Sequence, residues 1–189
     1  MEFKNRTSAW VMLVAAITGF VASLILTIDK FKILKDQGYT PSCNINSTLN
    51  CKSVMLSKQA EVFGFPNSII GIATFAMMLV VAVALFLNIR FPKIFWVLLF
   101  SGTSLAVIFC HWLAFQTTFV IGALCPYCMV AWFATLLVLS VAFRELLEFK
   151  KESTTEESSR EAVKTIQTWM VPFHLVWATL LIGAAFMGV

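Results

Sequence analysis

The chain has 189 residues, 59% hydrophobic and 13% charged, with a mean hydropathy of +0.85. Soluble globular domains are about 45–50% apolar, so a soluble catalytic domain is excluded, and the apolar residues fall in several blocks that no cleaved leader accounts for. The net charge of +4 comes from cations gathered between those blocks, a pattern that membrane orientation explains without a nucleic-acid partner.

Crossing a hydrocarbon layer takes about 20 apolar residues in a helix. Five stretches meet that length, residues 9–28, 67–88, 93–115, 126–147 and 169–187. Backbone groups must pair internally in lipid and no strand-like alternation is visible, so each stretch is predicted to be a helix. No internal repeat is visible.

The loops between them are unequal. The first, residues 29–66, is the longest and holds Gly38, Pro41 and the cysteines of "CNINSTLNC". Its second half, "CKSVMLSKQAEVFGF", reads as a short amphipathic helix on the membrane surface, with Val54, Met55, Val62 and Phe63 on one side. The second loop, "NIRFPK", is a basic turn; the third, "QTTFVIGAL", carries no charge; the fourth, residues 148–168, is charged, rich in Ser and Thr, and reads as a solvated linker of helix and coil.

With the N-terminus inside, nine cations lie inside (Lys4, Arg6, Arg90, Lys93, Arg144, Lys150, Lys151, Arg160, Lys164) and five outside (Lys30, Lys32, Lys35, Lys52, Lys58). That bias favours a cytoplasmic N-terminus and an external C-terminus. In either orientation the first and third loops share a face.

That shared face gathers four of the five cysteines, because the third loop ends in "ALCPYCMV", which places Cys125 and Cys128 at the mouth of the fourth helix. A Cys-x-x-Cys pair at a helix start suits redox work: the sulfurs come within disulfide reach, and unpaired N–H groups of the first turn favour thiolate. Pro126 fits the first helical position, where its missing donor costs nothing. Two other readings stay open. Four thiolates could hold zinc, although the Cys43/Cys51 spacing is too wide for a zinc knuckle and no metal is expected. Two static disulfides could staple external loops, but a Cys-x-x-Cys ring closes almost nothing and is readily reduced.

Taken together, "CNINSTLNCKSVMLS", "NSIIG" opening the second helix and "CPYC" opening the fourth resemble the vitamin K epoxide reductase family in its bacterial, disulfide-generating form. The resemblance covers the first four helices. Four-helix bacterial oxidases of similar chemistry carry Cys-x-x-Cys in the first external loop; here the order is reversed.

The resemblance implies an all-α integral membrane protein. A four-helix bundle over residues 1–147 would enclose a quinone site, with the external loop at 29–66 bearing the short surface helix, a cytoplasmic linker at 148–168 and a fifth transmembrane helix at 169–189. It implies that Cys43 and Cys51 are shuttle cysteines, Cys43 meeting a reduced thioredoxin-fold donor. Cys125 and Cys128 would be the active-site pair, Cys125 exchanging with Cys51 and Cys128 lying next to the quinone, menaquinone or ubiquinone. Ser57 matches a serine supporting the site, and Asn67 an asparagine that bonds one quinone carbonyl. Trp132 stands where the vertebrate enzymes have a tyrosine for the other carbonyl, and its indole N–H can donate. Relatives often continue from a fifth helix into a thioredoxin-like domain; this chain stops at Val189, so a separate donor is expected.

The function implied is a thiol-disulfide oxidoreductase of the cell's inner or plasma membrane that makes disulfides for exported proteins and passes electrons to quinone. Reduction of vitamin K epoxide at the same site and a non-enzymatic protein with static disulfides are the rival readings. Among the remaining residues, His111 lies near the outer end of the third helix, where it could face the quinone. Cys110 reads as a small hydrophobe and His174 as structural. Most of the 18 phenylalanines read as packing and lipid contact, with Phe63, Phe65 and Phe115 as possible pocket residues. The sequon at Asn46 reads as incidental.

Overall fold

Apolar runs of this length must close their backbone bonds within themselves, and in the computed structural model they do so as helices. The structure describes residues 2–153 and, beyond them, Val176, Thr179, Leu180 and Gly183, which are helical. The chain forms α1 (Glu2–Lys35), α2 (Cys51–Met55), a 3₁₀ turn (Lys58–Glu61), α3 (Asn67–Phe86), α4 (Lys93–Gln116), a π turn (Thr117–Ile121) and α5 (Pro126–Ser153). Among the described residues, four helical segments are long and apolar enough to cross a membrane: Arg6–Lys35, Asn67–Phe86, Lys93–Ile121 and Pro126–Phe149. The expected fifth span at 169–187, with His174, lies outside the described residues apart from the four named, as does the linker beyond Ser153.

Helix α1 packs on both α3 and α5, and α4 packs on α5. Small residues make the closest approach: Gly19 lies directly under the Phe75 ring of α3. The core between the spans is built from Met12, Ala15, Phe75, Ala82, Trp96 and Val138. Outward, Val80 is 70% exposed, Leu105 69% and Leu98 65%; in a bundle of this composition that outer apolar belt is the lipid-facing surface.

Two boundaries differ from the sequence reading. Helix α1 continues past Ile28 to Lys35, because its last two turns are held by the external loop as well as by lipid. Asp29 and Lys30, expected in that loop, are helical and only 5% exposed. Second, the single amphipathic surface helix is two short pieces. Val54 and Met55 on α2 are buried, whereas Val62 and Phe63 lie beyond the 3₁₀ turn and are 45% and 56% exposed. Leu56 and Ser57 separate the pieces, so those four side chains do not share one helical face.

The loop between α1 and α2 is tightly specified. Asp36 accepts from the Gly38 N–H, and Pro41 cannot continue a helix. Asn46 Oδ1 accepts from the N–H groups of Thr48 and Leu49 (3.0 and 2.7 Å), Asn44 Oδ1 accepts from the Lys52 N–H (3.0 Å), and Asn50 caps α2 through the Ser53 N–H (3.0 Å). The asparagines of "CNINSTLNC" are therefore its internal ties.

Candidate functional site

Two segments distant in sequence meet above the spans. The π turn ends on Gly122 in the left-handed region (φ +68°), a conformation glycine adopts without the Cβ penalty. The chain then turns through Ala123 and Leu124 alongside the cysteine loop: the Leu124 N–H donates to the Thr48 carbonyl (2.7 Å) and the Asn50 N–H donates to the Leu124 carbonyl (3.0 Å). This parallel bridge seats Leu124, the residue before Cys125, against Leu49, two residues before Cys51.

All four predicted cysteines are thereby brought into one cluster with Leu26, Val54, Met55 and Ala123. Cys43 and Cys51 form a disulfide, with Cα atoms 5.8 Å apart; Cys125 and Cys128 are free thiols. Cys51 is fully buried, Cys125 2% exposed and Cys43 4% exposed. Cys43 is buried although its sequence neighbours are polar: Tyr39 packs against the cluster, and Lys52 Nζ clasps the preceding strap through the carbonyls of Gln37 and Tyr39.

Pro126 opens α5, so the Cys128 N–H is free to reach back and donates to Cys125 Sγ (3.4 Å). The Cys125 thiol is held below its ordinary value, first by a hydrogen bond from the Cys128 side chain and then by the N–H groups of Cys128 and Tyr127. Burial and the Asp29 charge work against that lowering. Cys125 is thus the thiol of the pair prepared to act as nucleophile.

Beneath the cysteines lies a cavity of about 600 Å³ walled by all four spans, a size suited to a small organic ligand. Ser57, Asn67, Cys125, Cys128 and Trp132 all line it. The Asn67 amide is partly engaged, donating to the Gln59 carbonyl (2.7 Å) and accepting from the Val62 N–H (3.2 Å); one of its two amide hydrogens is not used in those bonds. The Ser57 hydroxyl donates to the Val54 carbonyl (2.7 Å), tying α2 to the 3₁₀ turn. Trp132 is 5% exposed and its indole N–H is buried without a partner among the described residues.

His111 does not line the cavity. Its ring meets Trp132 edge-on at 4.9 Å, with Nδ1 2.7 Å from the Val107 carbonyl, so it stands behind Trp132. Of the three phenylalanines singled out, Phe63 lines the cavity and Phe65 and Phe115 do not, while Cys110 does. No group of side chains among the described residues is arranged to hold a metal ion.

The chain matches the sequence profile of the Vitamin K epoxide reductase family over residues 10–143. It belongs to that family. A search of curated proteins finds no match. Members of the vitamin K epoxide reductase family are membrane oxidoreductases linked to quinone and served by thioredoxin-like partners, and this member has the helices and the disulfide-bonded cysteine pair that such chemistry requires.

Lys30 and Thr118 also line the cavity and escape a reading of the sequence. Lys30 Nζ donates to the Met55 carbonyl (2.7 Å) and pairs with Glu61 Oε1 (2.8 Å). An ionisable residue two places past an apolar run is its signal, hidden by ending the span at Ile28. Thr118 has no comparable signal.

Proposed function

We propose that this vitamin K epoxide reductase family member reoxidises a separate thioredoxin-fold donor and delivers the electrons to a membrane quinone, supporting disulfide formation in exported proteins. The observation that carries the reading is the pairing of redox states in one cluster: a Cys43–Cys51 disulfide packed against the free thiols Cys125 and Cys128, which open onto an apolar cavity.

The relay follows from thiol exchange. A donor thiolate attacks Cys43, forming a mixed disulfide and releasing Cys51 as thiolate; the donor's second thiol then resolves that bond and leaves as disulfide. Cys51 attacks Cys125 of an oxidised Cys125–Cys128 pair and expels Cys128 as thiolate. Cys43 attacks Cys51, re-forming the loop disulfide and releasing Cys125. The state in the structure, loop oxidised and Cys-x-x-Cys pair reduced, is the end of that sequence. A quinone in the cavity would accept two electrons and two protons as Cys125 and Cys128 close their disulfide.

The residues present fit such an acceptor. The Trp132 indole N–H is buried on the wall without a partner among the described residues, and one Asn67 amide hydrogen is not used in the bonds to Gln59 and Val62. On this reading Trp132 and Asn67 orient the quinone, Ser57 holds the surface segment that closes the cavity, and His111 fixes the Trp132 ring by its edge contact. Burial of the Cys43–Cys51 bond fits a strap that opens only when the donor displaces Tyr39, which keeps adventitious thiols from entering the relay.

The cysteine-bearing end is assigned to the external face and the N-terminus to the cytoplasm of a bacterial-type inner membrane, on the nine-to-five cation bias. The catalytic unit would be residues 1–147, followed by a cytoplasmic linker and a fifth span returning the C-terminus outside. A Cys51→Ser variant mixed with the disulfide form of a thioredoxin-fold protein should accumulate a mixed disulfide on Cys43, whose thiolate attacks that disulfide and releases one of the partner's two thiols. Recovery of the bond on Cys125 instead would remove the shuttle role assigned to the loop pair.

A further inference from the structure

A threonine in a helix normally returns its hydroxyl to a carbonyl three or four residues back. Thr18, Thr27, Thr74, Thr103, Thr117 and Thr135 all do so here. Thr118 does not: it is 2% exposed, and its Oγ1 is buried without a partner among the described residues. The cause is local. The carbonyl four residues back, that of Ala114, already accepts both the N–H and the hydroxyl of Thr117 (hydroxyl bond 2.9 Å). The π turn that starts at Thr117 then takes the backbone out of α-helical register, the kind of irregularity that collects at functional sites.

Leaving a hydroxyl dry and unpaired costs about 1–3 kcal/mol, and such groups in native proteins ask for a missing partner. Among the described residues only one other buried side-chain polar atom is in this position, Trp132 Nε1. Both residues line the same cavity. Two buried donors without partners among the described residues, both lining one predominantly apolar cavity, point to a ligand that brings acceptor oxygens.

We infer that Thr118 donates its hydroxyl to an oxygen of the quinone headgroup and is a substrate-binding residue alongside Trp132. The inference rests on the reading of the cavity as a quinone site. Its chemical advantage is that the oxygens of a quinone gain negative charge as electrons arrive, so a donor aimed at one of them binds more strongly as reduction proceeds.

The test uses the full chain in detergent, with menadione and a short-tailed ubiquinone as probes. Thermal unfolding is followed without quinone, and affinity is followed by quenching of tryptophan fluorescence. Thr118→Val removes only the hydroxyl. The quinone-free variant is expected to unfold at or above the wild-type temperature, because an unpaired polar group has gone. Its dissociation constant for the better-bound probe should rise about tenfold, the factor one lost hydrogen bond supplies. Thr118→Ser should keep affinity within about threefold. Equal affinity of wild type and Thr118→Val would overturn the inference while leaving the quinone site standing. A Thr118→Val protein that unfolds earlier would show a structural role and also overturn it. If wild type bound neither quinone, the inference and the cavity reading would fall together.

Discussion

The Lys30–Glu61 pair predicts an asymmetry opposite to what side-chain size suggests. Lys30 is 6% exposed at its side chain and Glu61 40%. Replacing Glu61 by Gln leaves a buried ammonium facing a neutral amide, the uncompensated state that costs about 3–5 kcal/mol in a fully buried pair. Partial exposure of Glu61 and the remaining bond to the Met55 carbonyl reduce this to about 2 kcal/mol. Replacing Lys30 by Met leaves a carboxylate that water can reach and an unpaired Met55 carbonyl, for about 1–2 kcal/mol. Once the ammonium is gone the Gln is harmless, so the double variant should also lose about 1–2 kcal/mol, well short of the sum. Thermal unfolding in detergent, at about 2–4 °C per kcal/mol for a chain of this size, resolves the difference. Losses in the double variant equal to the sum of the singles would refute the claim that Glu61 neutralises a buried charge. Because α2 carries Cys51, both single variants should also slow electron transfer from donor to quinone.

Three further outcomes follow from local geometry. Gly19→Ala drives a Cβ into the Phe75 ring and should cost about 1–3 kcal/mol, whereas Gly102→Ala, with open space around it, should be neutral or gain up to about 1 kcal/mol; equal effects in an unfolding assay would contradict the α1–α3 packing. The lowered Cys125 thiol should titrate below the ordinary value of 9.0 when thiolate absorbance is followed against pH in a Cys110→Ala background. Cys128→Ala removes the leading cause and should move that midpoint upward, and an unmoved midpoint would show that the hydrogen bond does not set it. Leu124→Pro deletes the N–H that meets the Thr48 carbonyl and should slow Cys51-to-Cys125 exchange by about tenfold, one hydrogen bond's worth, as read by rapid acid quenching; an unchanged rate would mean the bridge does not align the pairs.

Spans and cysteine convergence were legible because bilayer thickness and loop parity leave little freedom. Residues 67–88 and 126–147 were expected as helices, and the structure has α3 and α5 starting at Asn67 and Pro126. What escaped the sequence depends on tertiary neighbours. Helix α1 extends beyond its apolar run because Asp29 accepts from the Tyr39 hydroxyl (2.8 Å) and Lys30 bonds α2, contacts that no periodicity announces. The surface segment broke in two because Ser57 ties back to Val54. The burial of Cys43 cannot be read from its polar neighbours, because those asparagines spend their polarity on the loop's own backbone. Thr118 became noticeable only when the π turn showed why its hydroxyl has nowhere to go.

In the proposed relay, Cys125 and Cys128 reduce quinone with electrons that arrive through Cys51. The decisive measurement follows quinone absorbance with a reduced thioredoxin-fold donor and each of the four cysteines changed to serine in turn. All four variants are expected to lose donor-driven turnover, and Cys43→Ser and Cys51→Ser to retain a single turnover of quinone when their Cys125–Cys128 pair is reduced beforehand. Full turnover by Cys128→Ser would contradict the relay.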